Sequence, residues 1–199
     1  MFLVRGVDGE DFRYGPSDLH ESHQSYIDQW AERLVARGPT LSDDGEHHTG
    51  SIHVLRVDDR PTAERFAFAE PNASAGWYAS VSVSAMVPLV RGTMWDRPRP
   101  DPEGPASFVL VTWSPRSLEE PWTPHVRDAF LGADGPPWLF GGFLSTEVGH
   151  RSLGLVGAVD LAPTDATRRL DPVLAHVDVG AAHVEVRRWS RGGRQAGTT

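Results

Sequence analysis

The sequence of 199 residues contains no cysteine and no lysine, so all 19 of its basic residues are arginine. The absence of cysteine excludes disulfides, thiolate nucleophiles, zinc–thiolate sites and iron–sulfur clusters. The absence of lysine excludes Schiff-base catalysis and the lysine of a phosphate-binding P-loop. The side chains left for catalysis are nine histidines, 27 carboxylates, three tyrosines, and the serines and threonines.

Long apolar runs and an excess of positive charge are missing as well. No apolar run approaches the roughly 20 residues that a membrane-spanning helix needs, and the first residues lack the pattern of a secretory signal. The formal charge of −8 disfavours nucleic acid as a partner, because phosphate contacts need a basic face. We therefore expect a cytoplasmic protein that binds neither nucleic acid nor membrane.

A proline-rich stretch divides the chain into two nearly equal halves. Asp96–Pro105 holds four prolines and is predicted to be an extended linker between residues 1–95 and 106–199. The elements predicted for the first half are an initial strand, a helix from Asp18 to Arg37, a strand at Ser51–Val57, a helix from Pro61 to Ala69 and a strand at Trp77–Val87. This order is typical of a ferredoxin-like unit.

The second half repeats this order in a weaker form. Its segment LGLVGAVDLAPTDATRRLDP corresponds to IHVLRVDDRPTAERFAFAEP of the first half, which favours an internal duplication. A single ferredoxin-like unit leaves one face of its sheet uncovered, and a second unit can cover that face. The sequence therefore predicts an α+β protein in which two ferredoxin-like (βαββαβ) units form an intramolecular dimeric α+β barrel-like pair, present as a monomer or a homodimer.

His23 is the most informative single residue. It lies in the apolar stripe of the first predicted helix, between Leu19 and Ile27. A buried imidazole needs partners for both ring nitrogens, and beside a carboxylate it suits a general acid or base. Glu70 follows the second predicted helix and is the candidate partner. The alternatives are a core histidine bonded to a backbone carbonyl and a solvated glutamate at a helix end.

Three histidines near a run of carboxylates raise the question of a metal site. His47, His48 and His53 lie close to the acidic segment Asp43–Glu46, and histidine with carboxylate is a metal-ligand set. Adjacent histidines in a strand point to opposite faces. We therefore interpret the segment as a polar turn and predict no metal.

The first half resembles the YCII-related proteins, which are small dimeric α+β barrels built from ferredoxin-like units. The resemblance covers about residues 1–90 and rests on the order of His23, Gly38–Pro39, Asp43–Gly45, Thr49–Ser51, Glu70–Pro71 and Ala75–Tyr78. Where the family has Asp-Pro, this sequence has Glu70–Pro71. The resemblance implies a histidine–carboxylate active site, here His23 with Glu70. The residues expected to bind the substrate are Trp30, Gly38, Pro39, Ser51, Trp77 and Tyr78.

The resemblance also implies a function. One YCII-related protein is a dehydrochlorinase of a chlorinated hydroquinone, so we expect a cofactor-free enzyme that carries out an elimination or an isomerisation on a small organic molecule, with aromatic molecules among the candidates. In that reaction His23 moves the proton and Glu70 orients His23. A non-catalytic binding or sensing module and a cofactorless monooxygenase of an aromatic substrate remain as alternatives. The second half is expected to be a degenerate, structural copy.

Overall fold

The computed structural model describes residues 1–10, 17–98, 101, 104–132, 137–147, 150–178 and 182–192. The chain divides into two compact units, one of Met1–Val83 with the described residues after Trp189, and one of Ser84–Trp189. Positions 99, 100, 102 and 103 of the predicted linker lie outside the described residues, and the predicted domain limits stay predictions. No helix in the described ranges is long and apolar enough to cross a membrane.

The first unit is an antiparallel sheet with helices. Its elements are β1 (Phe2–Asp8), α1 (Ser17–Asp28), a 3-10 helix (Ala31–Arg33), β2 (Leu34–Leu41), β3 (His48–Leu55), α2 (Arg60–Phe68), α3 (Pro71–Ser74) and the first part of β4 (Tyr78–Pro88). Strand β3 pairs antiparallel with β1 and with β2, and β4 is the other neighbour of β1. The strand order β4-β1-β3-β2 is that of a ferredoxin-like unit.

The first helix is shorter than the sequence predicts. The helix expected from Asp18 to Arg37 ends at Asp28, and Leu34–Leu41 is strand β2. Leu34 stands four residues after Trp30, which suits a helix, but a short apolar segment buried on both faces has the same pattern in a strand. Because α1 is short, Arg37 and Gly38 lie in the sheet, which is important for the site.

Helix α2 matches its prediction within one residue at each end. The side chain of Asp59 accepts a hydrogen bond from the backbone N–H of Thr62 at 2.7 Å, and Pro61 occupies the first turn, where its missing N–H costs nothing. Phe66 of this helix is 1% exposed. Its ring lies 5.3 Å from that of Trp30, so the helix is held by an aromatic core.

The second unit repeats the element order of the first. Its elements are the rest of β4, a 3-10 helix (Met94–Asp96), β5 (Ala106–Ser117), α4 (Trp122–Leu131), β6 (Trp138–Ser145), β7 (Arg151–Val159), α5 (Pro163–Arg169), α6 (Asp171–Leu174) and β8 (His183–Trp189). The antiparallel order β8-β5-β7-β6 corresponds to β4-β1-β3-β2. Both units are therefore α+β, while the duplication and the pairing of the units stay predictions.

We predict that Phe66→Ala lowers the free energy of unfolding by about 3–5 kcal/mol, because it removes a large, fully buried ring. Phe68→Ala, two residues along the same helix, is the matched control. Phe68 is 55% exposed, so its truncation should change stability by no more than about 0.5 kcal/mol. Urea unfolding of both variants measures the difference, and equal losses would contradict this description of the core.

Candidate active site

Glu70 is the N-cap residue of helix α3 and does not belong to the end of helix α2. Pro71 occupies the first turn of α3, and the backbone N–H groups of Asn72 and Ala73 donate to the Glu70 carboxylate at 2.9 Å and 3.0 Å. Glu70 is 3% exposed. The alternative of a solvated glutamate at a helix end is therefore wrong, because the one-turn helix α3 begins where α2 has just ended.

His23 reaches this carboxylate from α1. Its Nδ1 forms a hydrogen bond with Oε1 of Glu70, and the His23 side chain is only 13% exposed. A carboxylate is purely an acceptor, so the proton of this bond belongs to Nδ1, and the Nε2 of a neutral imidazole then carries a lone pair. The sequence also allowed a histidine bonded to a backbone carbonyl. That alternative is wrong for Nδ1, because this nitrogen bonds to Glu70. The arrangement suits a general base.

A chain of polar groups continues from the pair to Tyr78. The side-chain amide nitrogen of Asn72 lies 3.2 Å from His23 Nδ1, a close approach of two N–H groups and not a hydrogen bond, and it donates to the Tyr78 hydroxyl oxygen at 3.5 Å. The Ser51 hydroxyl lies 3.0 Å from that same oxygen. Burial, assisted by the negative charge of Glu70, raises the pKa of Tyr78 above its ordinary value. Tyr78 therefore stays a neutral hydroxyl at physiological pH.

The absence of a side chain at Gly6 makes room for this tyrosine. A Cβ at Gly6 would lie 2.9 Å from two ring carbons of Tyr78 and 3.0 Å from the Ser51 hydroxyl oxygen. Contacts of this length between carbon atoms require the neighbours to move. Gly6 thus allows the ring to lie directly against strand β1.

Asn72, Ser51 and Tyr78 line a cavity of about 900 Å³ within the first unit. His23 lines the cavity, as do five of the six residues expected to bind the substrate: Gly38, Pro39, Ser51, Trp77 and Tyr78. The volume falls in the range of small-molecule sites. The cavity is therefore the candidate active site.

Trp30 is the predicted binding residue that does not line this cavity. Because α1 ends at Asp28, Trp30 lies beyond the helix stripe that carries His23. Its ring packs against Phe66 and Tyr26 in the apolar core of the unit. Trp30 therefore supports the wall of the site without reaching its interior.

His53 and Arg37 line the cavity and were not predicted to belong to the site. The two residues face each other across β2 and β3, and the His53 ring lies 6.3 Å from that of His23. Burial, together with the nearby His23 and Arg37, lowers the pKa of His53 to about 3. His53 is therefore neutral. The sequence signal for His53 was its position between Ile52 and Val54 in the predicted strand, and the helix predicted over Arg37 concealed that residue.

A second histidine–carboxylate contact lies in the wall of the same cavity. Nδ1 of His48 lies 3.3 Å from Oδ2 of Asp8, whose side chain is 6% exposed. Asp8, too, was not predicted from the sequence to belong to the site. Within the described parts of the chain, no group of three or more histidine and carboxylate side chains is placed to hold a metal ion.

The second unit lacks the buried pair. His125 of α4 and Asp171, which begins α6, occupy the positions nearest to those of His23 and Glu70, and both are exposed. The His125 ring stacks on that of His176, with ring centroids 5.7 Å apart. No hydrogen bond joins His125 to Asp171 in the described residues, so the acid–base geometry belongs to the first unit.

Part of the first unit is similar to a known protein family. Residues 10–87 match the model of the YCII-related domain. Over this stretch the chain is similar to the YCII-related domain, and the stretch contains the His23–Glu70 contact and nearly the whole cavity wall. No curated protein matches the chain.

Solved structures that are similar to the chain include several enzymes. The 5-chloro-2-hydroxyhydroquinone dehydrochlorinase of Burkholderia phenoliruptrix AC1100 is 22% identical, with 42% of this chain and 90% of that chain covered and a TM-score of 0.38. A protein of Lactobacillus acidophilus NCFM assigned as a monooxygenase is 10% identical over 96% of both chains, with a TM-score of 0.56. A chlorite dismutase variant of Candidatus Nitrospira defluvii is 7% identical over 95% of this chain and 91% of that chain, with a TM-score of 0.59. The fold thus resembles that of dimeric α+β barrel proteins.

The low pKa of His53 predicts a pH-dependent stability. An unfolded histidine takes up a proton below about pH 6.5, whereas the folded His53 stays neutral down to about pH 3. The unfolded state therefore binds more protons in this window, and stability falls as the pH falls, by up to about 1.4 kcal/mol per pH unit.

His53→Leu removes this contribution while other titrating groups remain. In urea unfolding between pH 7 and pH 4, the variant should lose less stability than the parent protein. Equal pH dependence of the two proteins would show that His53 takes up its proton in the folded state as readily as in the unfolded state.

Proposed function

We propose that the YCII-related domain catalyses a proton transfer on a small organic molecule, with His23 as the catalytic acid–base and Glu70 as its positioning residue. The observation that carries the proposal is that His23, which lines a cavity of about 900 Å³, forms a hydrogen bond through Nδ1 with the buried carboxylate of Glu70. This bond holds the proton on Nδ1 and leaves Nε2 free to act on a bound molecule.

The reaction begins when Nε2 of His23 takes a proton from the substrate. The imidazolium that forms is stabilised by the negative charge of Glu70 at the opposite side of the ring. In an elimination, the electron pair of the broken C–H or O–H bond forms a new double bond as a leaving group such as chloride departs. In an isomerisation, His23 returns the same proton to another carbon. Either reaction is complete without a redox cofactor.

Glu70 has a fixed orientation for this role. Two backbone N–H groups hold its oxygens, and the polar chain through Asn72 and Tyr78 lies beside the pair. Since Glu70 touches His23 and not the substrate, its contribution is to fix the tautomer and rotation of the imidazole. The family resemblance supports the same pair and favours elimination of the dehydrochlorinase kind.

We further propose that the two units form an intramolecular pair of the dimeric α+β barrel type. The repeated order of elements in the two units supports this arrangement.

The function is tested with chlorinated hydroquinones and with unsaturated lactones as probes. Chloride release reports elimination, and deuterium uptake from heavy water reports isomerisation. We expect His23→Asn to lower kcat by about 100- to 10,000-fold, the usual contribution of general acid–base catalysis. Glu70→Gln should lower kcat without a matching change in KM, and Glu70→Asp, which keeps the carboxylate, should restore part of the rate.

His125→Gln is the matched control, because His125 lies on the corresponding helix of the second unit. Its kcat should equal that of the parent protein. Two outcomes would contradict the proposal: turnover that survives His23→Asn, and probes that bind without being converted, which is the behaviour of a binding module. Consumption of dioxygen during turnover would favour the monooxygenase alternative instead.

A further inference from the structure

The cavity contains a buried cation that the proton-transfer reaction does not use. Arg37 of β2 lines the cavity and is 8% exposed. The chain has no lysine, and among the described residues that line the cavity Arg37 is the only arginine. A guanidinium so deeply buried is costly unless its charge and its N–H groups are matched by partners.

Those partners are incomplete. Nη1 of Arg37 donates to Oδ1 of Asp28 at 2.9 Å, but the Asp28 side chain is 35% exposed and partly solvated. Nε of Arg37 is buried and has no hydrogen-bond partner among the described residues. A guanidinium has five N–H donors, so the ion pair with Asp28 leaves most of its bonding capacity unused.

The neighbours of Arg37 place it beside the catalytic group. His53 is its partner across the sheet and is neutral, so it neither repels nor neutralises an anion. The His53 ring lies 6.3 Å from the His23 ring. Arg37, His53 and His23 thus line one continuous wall. Of the carboxylates that also line the cavity, Glu10 and Glu46 are exposed, and Asp8 contacts His48.

We propose that Arg37 binds a negatively charged oxygen of the substrate, so that the site selects small organic anions carrying a carboxylate or a phenolate. The planar guanidinium suits such an oxygen because it offers parallel N–H donors. This inference rests on the proposed function in one respect: the molecule that Arg37 binds is the substrate on which His23 acts. It names the chemical class of that substrate.

Benzoate and benzamide test the proposal, because they share a shape and differ in charge. Calorimetric titration of the parent protein should give tighter binding of benzoate than of benzamide, by roughly tenfold or more. Arg37→Met should weaken benzoate binding by about 10- to 100-fold, the usual contribution of a hydrogen bond to a charged group, and should leave benzamide binding unchanged. 4-Nitrophenol tests the phenolate source, since the absorption of its anion reports the bound form.

Arg33→Met is the matched control. Arg33 lies four residues before Arg37 with its guanidinium over the Trp30 ring, outside the cavity, so this variant removes the same charge and should keep the benzoate preference. Arg37→Lys, which keeps the charge but not the planar fork, should bind benzoate with intermediate affinity and serves if Arg37→Met does not fold.

The proposal is overturned if the parent protein binds benzoate no better than benzamide, if it binds neither, or if Arg37→Met keeps the preference. These results are separate from those for the proposed function. A benzoate preference that depends on Arg37 while no probe is turned over would support the anion site and contradict catalysis. Turnover that depends on His23 and not on Arg37 would support catalysis and contradict the anion site.

Discussion

The candidate site depends on one buried carboxylate whose hydrogen bonds are supplied by the backbone. A charged side chain that is 3% exposed is stable only when its oxygens have partners. For Glu70 those partners are the N–H groups at the start of α3 and the Nδ1 of His23. Because Pro71 starts α3 directly after Glu70, the local fold sets the position of the carboxylate, and the carboxylate sets which ring nitrogen of the neutral imidazole bonds to it.

His23 and Glu70 could both be predicted from the sequence, each for its own reason. His23 stood out because a polar residue lay in an apolar helical stripe, and that stripe ends where α1 ends. Glu70 was found through the order of motifs shared with the YCII-related proteins. Its burial was not predictable from the pattern, because a four-residue helix contributes too few positions for a periodicity. The capping geometry that explains the burial appears only in the three-dimensional structure.

Arg37 and His53 were not predicted to belong to the site, for reasons that concern the secondary structure. Arg37 was assigned to a helix that in fact ends nine residues earlier, at Asp28, so its place opposite His53 in the sheet could not be foreseen. His53 falls in the predicted strand Ser51–Val57, but it was considered only as a metal ligand near a polar turn, and the burial of almost every position of β3 was not foreseen. Short apolar segments fit either secondary structure, and only the strand pairing decides which side chains meet.

The central claim is that Glu70 holds His23 as the tautomer with its proton on Nδ1. Nitrogen NMR of the labelled imidazole measures this directly, with the His23 signals assigned by their loss in His23→Asn. The account predicts a protonated Nδ1 and an unprotonated Nε2 in the neutral ring, and a shift of this balance in Glu70→Gln. A ring protonated on Nε2, or a tautomer that does not respond to Glu70→Gln, would contradict it.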